Sequence, residues 1–315
     1  MTATGRIAAV IVTYNRRELL REALDAVMAQ TRRPDLVVVV DNASDDGTGE
    51  LLAERAGEVD LVALTHNTGG AGGFAAGIAR ALQRGADWVW LLDDDTVPTP
   101  TALAELAAVA DPAALVASAV RWTDGRPHPM NTPRPKPGAS AAERAAARAL
   151  GCVPIRSASF VSVLVDARAI RESGLPIADY FLWNDDFEFT TRILRGRRGL
   201  LCPASVVIHK TRTFGSTDAD PGERFFYEVR NKVWLFTRSP GLAPAERVLY
   251  AGSTVRRWAK TFIRSQDRAT LRKGLAAGLV AGLRSGPRPN RQVLSRAGFP
   301  ARPAARRTAP PTAGR

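Results

Sequence analysis

The chain has 315 residues, of which 45% are hydrophobic and 24% are charged. This composition is typical of a globular protein with one sizeable core, and it excludes a fibrous or wholly disordered chain. The two cysteines, Cys152 and Cys202, lie far apart and outside any C-x-x-C spacing. No disulfide framework or zinc knuckle is therefore expected, and a reducing compartment fits best.

The net charge of +13 comes from the C-terminal part of the chain. Residues 244–315 contain 16 Lys and Arg against Glu246 and Asp267, a balance of +14, which leaves −1 for residues 1–243. A near-neutral body with a basic arm predicts contact with an anionic surface, either lipid headgroups or nucleic acid. No apolar run approaches the ~18 residues of a membrane span, so we expect any membrane contact to be peripheral.

Strand and helix patterns alternate along the N-terminal two thirds. Short β-branched runs predict buried strands, and an apolar period near 3.6 residues predicts helices between them. The N-terminal apolar run is typical of a first strand rather than a signal peptide, which indicates a cytoplasmic protein. The alternation predicts an α/β fold with a Rossmann-like, mostly parallel sheet flanked by helices. The predicted strands are 7–13, 36–40, 61–64, 88–92, 159–165 and 201–208, and the predicted helices are 16–30, one from 50, 75–83 and 185–194.

The remaining segments are a Pro-rich stretch and the basic C-terminal region. Residues 126–136 have few core-forming side chains, which predicts a mobile surface loop able to fold over a ligand. Residues 244–264 and 269–283 are predicted to form basic amphipathic helices, the second with four leucines on one face. The Pro and Arg content after Ser285 predicts a disordered tail.

Polar clusters follow four of the predicted strands. Ligands of open α/β sheets bind at the carboxyl ends of the strands, so these clusters are expected to converge. One is a triplet of adjacent carboxylates, whose mutual repulsion a cation would relieve. Hard oxygen ligands suit Mg²⁺ or Mn²⁺ bridging a diphosphate, although a solvated acidic turn that caps a helix is the simpler alternative. The clusters are Thr13-Tyr14-Asn15, Asp41-Asn42, His66-Asn67 and Asp93-Asp94-Asp95.

A second acidic cluster begins at Trp183. Transfer of a sugar with inversion requires a carboxylate that takes the acceptor proton and an aromatic side chain that packs on the sugar. Asp185 or Asp186 suits the first role, and Trp183 suits the second. Alternatively, Asp185 caps the following helix while Glu188 completes a capping box, and both roles can coexist.

A glycine-rich segment, residues 67–75, precedes the third predicted helix. We expect a loop here, in which backbone amides at Gly72 and Gly73 approach phosphate or sugar closely. Its G-x-G-x-x-A spacing also fits a dinucleotide-dependent oxidoreductase, but the segment follows the third strand rather than the first.

Two further features have less specific patterns. His209 ends an apolar strand, and a lone histidine is more often structural than a metal ligand. Residues 225–231 form an aromatic and basic segment. That segment either holds an acceptor phosphate or packs the C-terminal helices on the body, and packing is favoured.

Taken together, the motifs resemble those of a known enzyme family. Three of them are similar to inverting family 2 glycosyltransferases of GT-A fold, over roughly the first two thirds of the chain. Residues 67–74, 86–91 and 225–231 look like bacterial galactofuranosyltransferases that begin cell-wall galactan on a polyprenyl-diphosphate rhamnosyl acceptor. Related rhamnosyltransferases share much of this pattern. The three family motifs are Val12-Thr13-Tyr14-Asn15-Arg16, the segment 40–48 and Leu92-Asp93-Asp94-Asp95.

The resemblance implies roles for individual side chains. Asp186 would be the catalytic base, with Asp185 as the other candidate. Asn184 separates Trp183 from Asp185, where galactofuranosyltransferases can have Trp followed directly by two aspartates. The ligands of Mn²⁺ or Mg²⁺ would be Asp93, Asp95 and His209, and the nucleotide-sugar contacts would be Thr13, Asn15, Asp41, Asn67, Gly72, Gly73, Asp94 and Trp183.

The expected reaction is transfer of galactofuranose from UDP-galactofuranose to a polyprenyl-diphosphate-linked glycan, with dTDP-rhamnose as the alternative donor. A peripheral position at the inner face of the cell membrane is expected, without a nucleic-acid partner. The basic arm makes a nucleic-acid-binding protein the alternative of a different class. The implied organisation is a GT-A domain at 1–217, a helical membrane-docking region at 218–285 and a disordered tail at 286–315.

Overall fold

The computed structural model describes residues 5–212, 214 and 220–299. Strands and helices alternate through most of this range. The strands are β1 Ile7–Thr13, β2 Leu36–Asp41, β3 Asp60–Ala63, β4 Trp88–Asp93, β5 Thr96–Pro98, β6 Leu115–Arg121, β7 Arg134–Pro135, β8 Val153–Ser157, β9 Ser162–Asp166 and β10 Gly199–His209. The helices are α1 Arg17–Met28, α2 Thr48–Glu54, α3 Gly69–Gln83, α4 Ala102–Ala108, α5 Ala141–Ala149, α6 Ala167–Ser173, α7 Asp185–Ile193, α8 Phe225–Arg238, α9 Pro244–Arg264, α10 Arg268–Arg284 and α11 Asn290–Arg296.

One sheet runs in the order β3-β2-β1-β4-β9-β6-β10-β8-β7, and β5 pairs with β10. The first four strands of that order are parallel. Strand β9 is antiparallel to both of its neighbours, and the second half of the sheet is mixed. The predicted α/β sheet with flanking helices is confirmed, and its continuous parallel part is the N-terminal half, β3-β2-β1-β4.

Alternation of side chains along β1 divides the core between the two faces of the sheet. Val10 and Val12 contact one cluster, which includes α3, whereas Ile11 contacts the other cluster, which includes α1 and α4. All seven residues of β1 are buried. A strand covered on both faces by helices needs apolar side chains at every position, which is why this segment lacks a polar alternation.

The carboxyl ends of neighbouring strands bring the predicted polar clusters together. Thr13 pairs in register with Asp41, and Val12 pairs with Asp93. From the other half of the sheet, His209 at the end of β10 pairs with Thr96 of β5, directly after the acidic triplet. The predicted convergence at one edge is therefore confirmed.

The glycine-rich segment was predicted to be a loop, and that prediction is wrong. Helix α3 begins at Gly69 and includes these glycines. A Cβ on Gly73 would lie 2.3 Å from Val12 Cγ1, and one on Gly77 would lie 2.4 Å from Val10 Cγ1. The glycines are needed because α3 packs directly on β1, where no side chain fits between helix and strand.

The Pro-rich stretch also differs from its prediction as a mobile surface loop. It carries the short strand β7, and both His128 and Asn131 are buried. Buried polar side chains require partners, and His128 Nε2 lies 3.0 Å from Thr211 Oγ1. These contacts hold the stretch against the end of β10.

Helix α10 packs on α8 through a face different from the predicted one. Its buried residues are Leu271, Gly274, Gly278 and Gly282, whereas Leu283 is 65% exposed. A Cβ on Gly278 would lie 2.8 Å from the Phe226 carbonyl oxygen. The glycines let the two helix backbones approach closely, so the predicted leucine face, Leu271, Leu275, Leu279 and Leu283, is only partly buried.

The predicted disordered tail begins too early. Residues 286–299 include α11, with Leu294 fully buried. Asp179 accepts hydrogen bonds from Arg288 N at 2.7 Å and Arg288 Nε at 2.8 Å, and Asn290 Oδ1 accepts one from Ala178 N. These bonds offset the cost of ordering a polar segment. Residues 300–315 of the predicted tail lie outside the described residues.

The contact between α3 and β1 predicts the effect of one substitution. Gly77→Ala should lower the free energy of unfolding by about 1–3 kcal/mol, because the new methyl group overlaps Val10 and Val40. The matched control is Gly70→Ala in the first turn of the same helix, where nothing lies within 4 Å of the new Cβ. Urea denaturation measures both, and equal stability of the two variants would contradict the packing described here.

Candidate active site

The acidic triplet is held by the end of β1. Asp94 Oδ2 accepts hydrogen bonds from Thr13 Oγ1 at 2.9 Å and from Tyr14 N at 3.4 Å. Arg16 Nη1 lies 3.1 Å from Asp94 Oδ1 and 2.6 Å from Asp95 Oδ2. Asp94 and Thr13, both predicted to contact the nucleotide-sugar, thus bind each other and fix the turn after β4.

Arg16 is a site residue to which the sequence analysis assigned no role. Its guanidinium partly neutralises two buried carboxylates, yet its side chain is 48% exposed. The available signal was its position directly after Thr13-Tyr14-Asn15, at the end of a strand. The basic residue at that position provides a positive charge where three negative charges meet.

Asp93, Asp95 and His209 form a candidate metal centre. Each offers one ligand atom, and these atoms lie within 4.8 Å of one another. The predicted ligand set is therefore brought together by the fold. Two carboxylates and one imidazole are a donor set that suits Mn²⁺ and also accommodates Mg²⁺.

The hydrogen bonds of His209 test whether a cation fits. Its Nδ1 lies 2.8 Å from Asn131 Oδ1, an acceptor, so Nδ1 carries a proton. In neutral His209 the Nε2 lone pair would then face Asp95 Oδ1 at 2.9 Å. Asp95 Oδ1 is buried and makes no hydrogen bond of acceptable geometry. Two facing acceptors require a cation between them, either a proton or a metal ion, and the residues present fit a divalent metal.

Asn131 is a second residue that the sequence analysis missed. It orients the His209 ring and fixes its tautomer, as groups behind metal-binding histidines commonly do. Asn131 Nδ2 also donates to Ser159 Oγ at 3.2 Å, which fixes the orientation of the amide. No sequence pattern around Asn131 indicated this role, because it lies in the Pro-rich stretch.

Burial and like charges perturb the titration of the triplet. Burial and the Asp95 carboxylate raise the pKa of Asp93 to about 7. Burial raises the pKa of Asp94 to about 6, although Arg16 opposes the shift. Against the effect of burial, contact with His209 lowers the pKa of Asp95, and the same contact raises the pKa of His209. The centre therefore holds excess negative charge that a divalent cation would neutralise.

The other predicted nucleotide-sugar residues lie along the ends of β1 and β2 and at the start of α3. Asn15 has a positive φ of 52°, and its Oδ1 accepts a hydrogen bond from Asp45 N. Asp41 Oδ1 accepts one from Ser44 N, and Asn67 Oδ1 accepts one from Gly69 N at the beginning of α3. Gly72 and Gly73 are buried inside α3, where they serve helix packing rather than an open phosphate loop.

The second acidic cluster follows a backbone segment with unusual dihedral angles. Phe181, Trp183 and Asn184 all have φ near +65°. Helix α7 begins at Asp185, and Asn184 occupies the N-cap position without a side-chain cap. The interpretation of Asp185 as the cap is therefore wrong. Glu188 does not complete a capping box either, because it pairs with Arg192 at 2.8 Å.

Helix α8 holds this segment in place. Asn231 is fully buried, and its Nδ2 donates to the carbonyl oxygens of Tyr180, Leu182 and Trp183, each at 2.9 Å. Arg230 donates to the Tyr180 carbonyl at 3.0 Å. The interpretation of residues 225–231 as packing between the C-terminal helices and the body is confirmed. These bonds stabilise backbone conformations that non-glycine residues rarely adopt.

The two acidic clusters belong to one site. Burial raises the pKa of Asp185, and the negative charges of Asp186 and Asp93 raise it further. The three carboxylates therefore lie within electrostatic range of one another. Ala71 N at the start of α3 donates to the Phe181 carbonyl at 3.1 Å, which places the second cluster beside the predicted nucleotide-sugar residues. Asp185 is buried and Asp186 is half-buried. The arrangement places the candidate metal centre and the Asp186 carboxylate on one rim of the sheet.

Sequence comparisons identify the family of this protein. Residues 8–154 match the model of glycosyl transferase family 2. The chain is 32% identical over 268 residues to galactofuranosyltransferase GlfT1 of Mycobacterium tuberculosis, an alignment covering 76% of this chain and 84% of that protein. It is 48% identical over 101 residues to GlfT1 of Mycolicibacterium smegmatis, covering 32% of this chain and 33% of that protein. The chain belongs to glycosyltransferase family 2.

Comparison with solved structures shows the GT-A fold. The structure of Staphylococcus aureus TarS residues 1–349 in complex with UDP-GlcNAc superposes with a TM-score of 0.61 at 15% identity, covering 93% of this chain and 84% of that chain. The mannosyltransferase PcManGT from Pyrobaculum calidifontis, in complex with GDP-Man and Mn²⁺, superposes with a TM-score of 0.52 at 22% identity, covering 93% and 79%. The protein is thus a glycosyltransferase that is similar in sequence to galactofuranosyltransferases.

The raised pKa of Asp93 predicts pH-dependent metal binding. Its carboxyl group is protonated below about 7, and a protonated carboxyl is a poor ligand. Mn²⁺ affinity should therefore fall as the pH decreases from 8 to 6. Below the pKa, the affinity should fall about tenfold per pH unit for each proton that the metal ion displaces. Calorimetric titration with Mn²⁺ measures this dependence. Asp93→Asn should weaken binding and flatten the profile, and a pH-independent affinity of the parent protein would contradict the assignment.

Proposed function

We propose that this protein transfers galactofuranose from UDP-galactofuranose, with inversion, to a polyprenyl-diphosphate-linked glycan. The observation that carries the proposal is the 268-residue alignment with GlfT1, which is longer than the match of residues 8–154 to the family 2 model. The name of another relative, undecaprenyl-phosphate mannosyltransferase of Micrococcus luteus, gives that protein a polyprenyl-phosphate substrate. That relative is 35% identical over 124 residues, which supports a lipid-linked acceptor here.

The metal centre would serve the leaving group. Asp93, Asp95 and His209 would hold Mn²⁺ or Mg²⁺, which offsets the charge that develops on the nucleotide diphosphate. Asn131 keeps the His209 Nε2 lone pair directed into this centre. Thr13, Asn15, Asp41, Asn67 and Asp94 line the same rim, together with Trp183, and are assigned to donor binding.

Asp186 is assigned as the base. It is half-buried and can contact an acceptor, whereas Asp185 is buried, and burial raises the pKa of Asp185 well above its usual value. Burial also raises the pKa of Asp186, but Lys232 and Arg134 oppose the shift. A carboxylate with a raised pKa is a stronger base than an ordinary aspartate, which suits proton transfer from the acceptor hydroxyl.

The reaction is a single displacement. The acceptor hydroxyl oxygen forms a bond to the anomeric carbon as the bond from that carbon to the diphosphate oxygen breaks. The hydroxyl proton passes to an Asp186 carboxylate oxygen, and the electron pair leaves with the nucleoside diphosphate. Attack from the face opposite the leaving group inverts the anomeric configuration.

Replacement of the base tests the assignment. Asp186→Asn should lower kcat by about 10²- to 10⁴-fold, because the amide cannot accept the acceptor proton. Donor binding, measured calorimetrically with Mn²⁺, should change little. The control is Glu172→Gln, which removes one exposed carboxylate from α6. Transfer by Asp186→Asn at the parental rate would contradict the role of Asp186.

The donor is tested with the parent protein. Incubation with radiolabelled UDP-galactofuranose, a disaccharide-diphosphate lipid and Mn²⁺ should give a product one sugar longer, and EDTA should abolish it. Transfer from dTDP-rhamnose with none from UDP-galactofuranose would assign the protein to the rhamnosyl alternative instead.

Helix α9 supports docking on an anionic membrane. Val248, Val255 and Ile263 are 75%, 63% and 72% exposed. Their spacing places them on one face of the helix, next to Arg256 and Lys260. Among the described residues, no helix is long and apolar enough to span a bilayer. Exposed apolar side chains flanked by basic ones match the chemistry of an anionic lipid surface, where a lipid-linked acceptor lies.

Membrane docking predicts the behaviour of a double variant. Val255→Ser with Ile263→Ser should weaken co-sedimentation with phosphatidylglycerol vesicles about tenfold or more, since each side chain contributes about 1.5–3 kcal/mol when buried. The matched control is Val153→Ser in β8, which removes an exposed apolar side chain from the body. Equal sedimentation of the double variant and the control would refute docking through this face.

A further inference from the structure

Lys232 of α8 is a buried cation. In the reaction described above it is neither an acid or base nor a metal ligand. Its side chain is 5% exposed. Within the described part of the chain it forms neither a hydrogen bond nor an ion pair. Its Nζ lies 4.7 Å from the ring centroid of Phe187 and 5.9 Å from that of Phe236. An ammonium group that is largely removed from water and lacks a hydrogen-bonding partner in the protein would be stabilised by a bound anion.

A second cation lies on the same aromatic ring. Arg134 Cζ of β7 is 5.3 Å from the Phe187 ring centroid and 6.0 Å from that of Tyr250. Phe187 directly follows Asp186, so Lys232 and Arg134 both lie beside the proposed base. They come from elements far apart in sequence that meet only in the folded protein.

The nearby negative charge is already engaged. Glu228 accepts hydrogen bonds from Asn184 Nδ2 at 2.7 Å and from Trp258 Nε1 at 3.1 Å, and it pairs with Arg257 of α9. Burial lowers the pKa of Lys232 to about 8, and Glu228 opposes the shift. The ammonium is thus mostly charged at pH 7. The formal charge of this group of side chains is +1, because three cations face two carboxylates. The cations are Lys232, Arg134 and Arg257, and the carboxylates are Glu228 and Asp186.

The position of this cationic pair relates it to the acceptor. Asp186 must contact the acceptor hydroxyl, and Arg257 belongs to the helix whose opposite face carries the exposed apolar residues. An acceptor that reaches from Asp186 to α9 would place the anionic linkage between its glycan and its lipid beside Lys232 and Arg134. Phosphate oxygens would provide the hydrogen-bond acceptors that the Lys232 ammonium lacks and, unlike a neutral sugar, would also neutralise its charge.

We propose that Lys232 and Arg134 form a phosphate-binding subsite for the diphosphate of a lipid-linked acceptor. The identity of the acceptor rests on the proposed function, but the anion-binding chemistry does not. Lys232 provides a point charge and Arg134 a planar guanidinium that can bind two phosphate oxygens. This subsite is separate from the Asp93, Asp95 and His209 centre, which would bind the donor diphosphate through a metal.

The test is direct binding of geranyl diphosphate at pH 7 in EDTA, so that the metal centre contributes nothing. Lys232→Met should lower the affinity about tenfold or more, because a charge-assisted contact to phosphate is lost. Arg134→Met should also weaken binding, and Arg134→Lys should retain most of it. The control is Lys273→Met, which removes an exposed lysine from α10. Parental affinity in Lys232→Met would overturn the proposal.

Further arms separate this role from a structural one. Methionine fills a similar volume without a buried charge, so Lys232→Met should unfold at the same or a higher temperature. It should raise KM for a diphosphate-linked acceptor but not for the same glycan on a neutral alkyl chain. Equal effects on both acceptors would show that Lys232 acts only on Asp186, and would overturn the subsite.

Two outcomes distinguish the subsite from the other proposals. Binding to phosphatidylglycerol vesicles should be unchanged in both methionine variants. If these variants lost vesicle binding together with geranyl diphosphate binding, the ligand would be a membrane headgroup instead. The geranyl diphosphate measurement needs no sugar transfer. If the parent binds this probe through Lys232 yet transfers no galactofuranose, the proposed donor fails and the subsite stands.

Discussion

The site depends on the crowding of carboxylates at the end of β4. Asp94 and Asp95 are buried there and Asp93 is half-buried, because β4 is a central strand, so water screens their repulsion poorly. Arg16 compensates two of them, and His209 lies against Asp95. The excess negative charge at Asp93 and Asp95 is what would favour a divalent cation at this rim. Without a cation, the same buried charge opposes folding, so a bound metal ion would stabilise the fold.

A second constraint connects catalysis to the C-terminal helices. The segment before α7 adopts strained conformations, and Asn231 of α8 holds three of its carbonyl groups. Glu228 extends this connection to α9 through Trp258. Helix α9, which we propose docks on the membrane, is therefore joined through α8 to the segment that positions the proposed base. A boundary near residue 218 would divide the chain in sequence, but the hydrogen bonds across it join both parts in one site.

Several predictions failed for reasons that particular residues explain. The glycines of α3 were expected in a loop because glycine disfavours helices, but close packing on Val10 and Val12 overrides that preference. The leucines of α10 suggested a packing face, whereas the actual packing face is formed by Gly274, Gly278 and Gly282. The segment after Ser285 has a composition typical of disorder, yet bonds between Arg288 and Asp179 order it.

The sequence alone determined what is local: buried strands, the polar residues at their ends, and the acidic triplet. Strand ends converge because parallel order fixes their direction, so the meeting of the acidic triplet with the polar ends of β1 and β2 was predictable. The tertiary structure alone decided which distant groups complete the site. Arg16, Asn131 and Lys232 reach it through contacts between residues tens of positions apart, which no periodicity records.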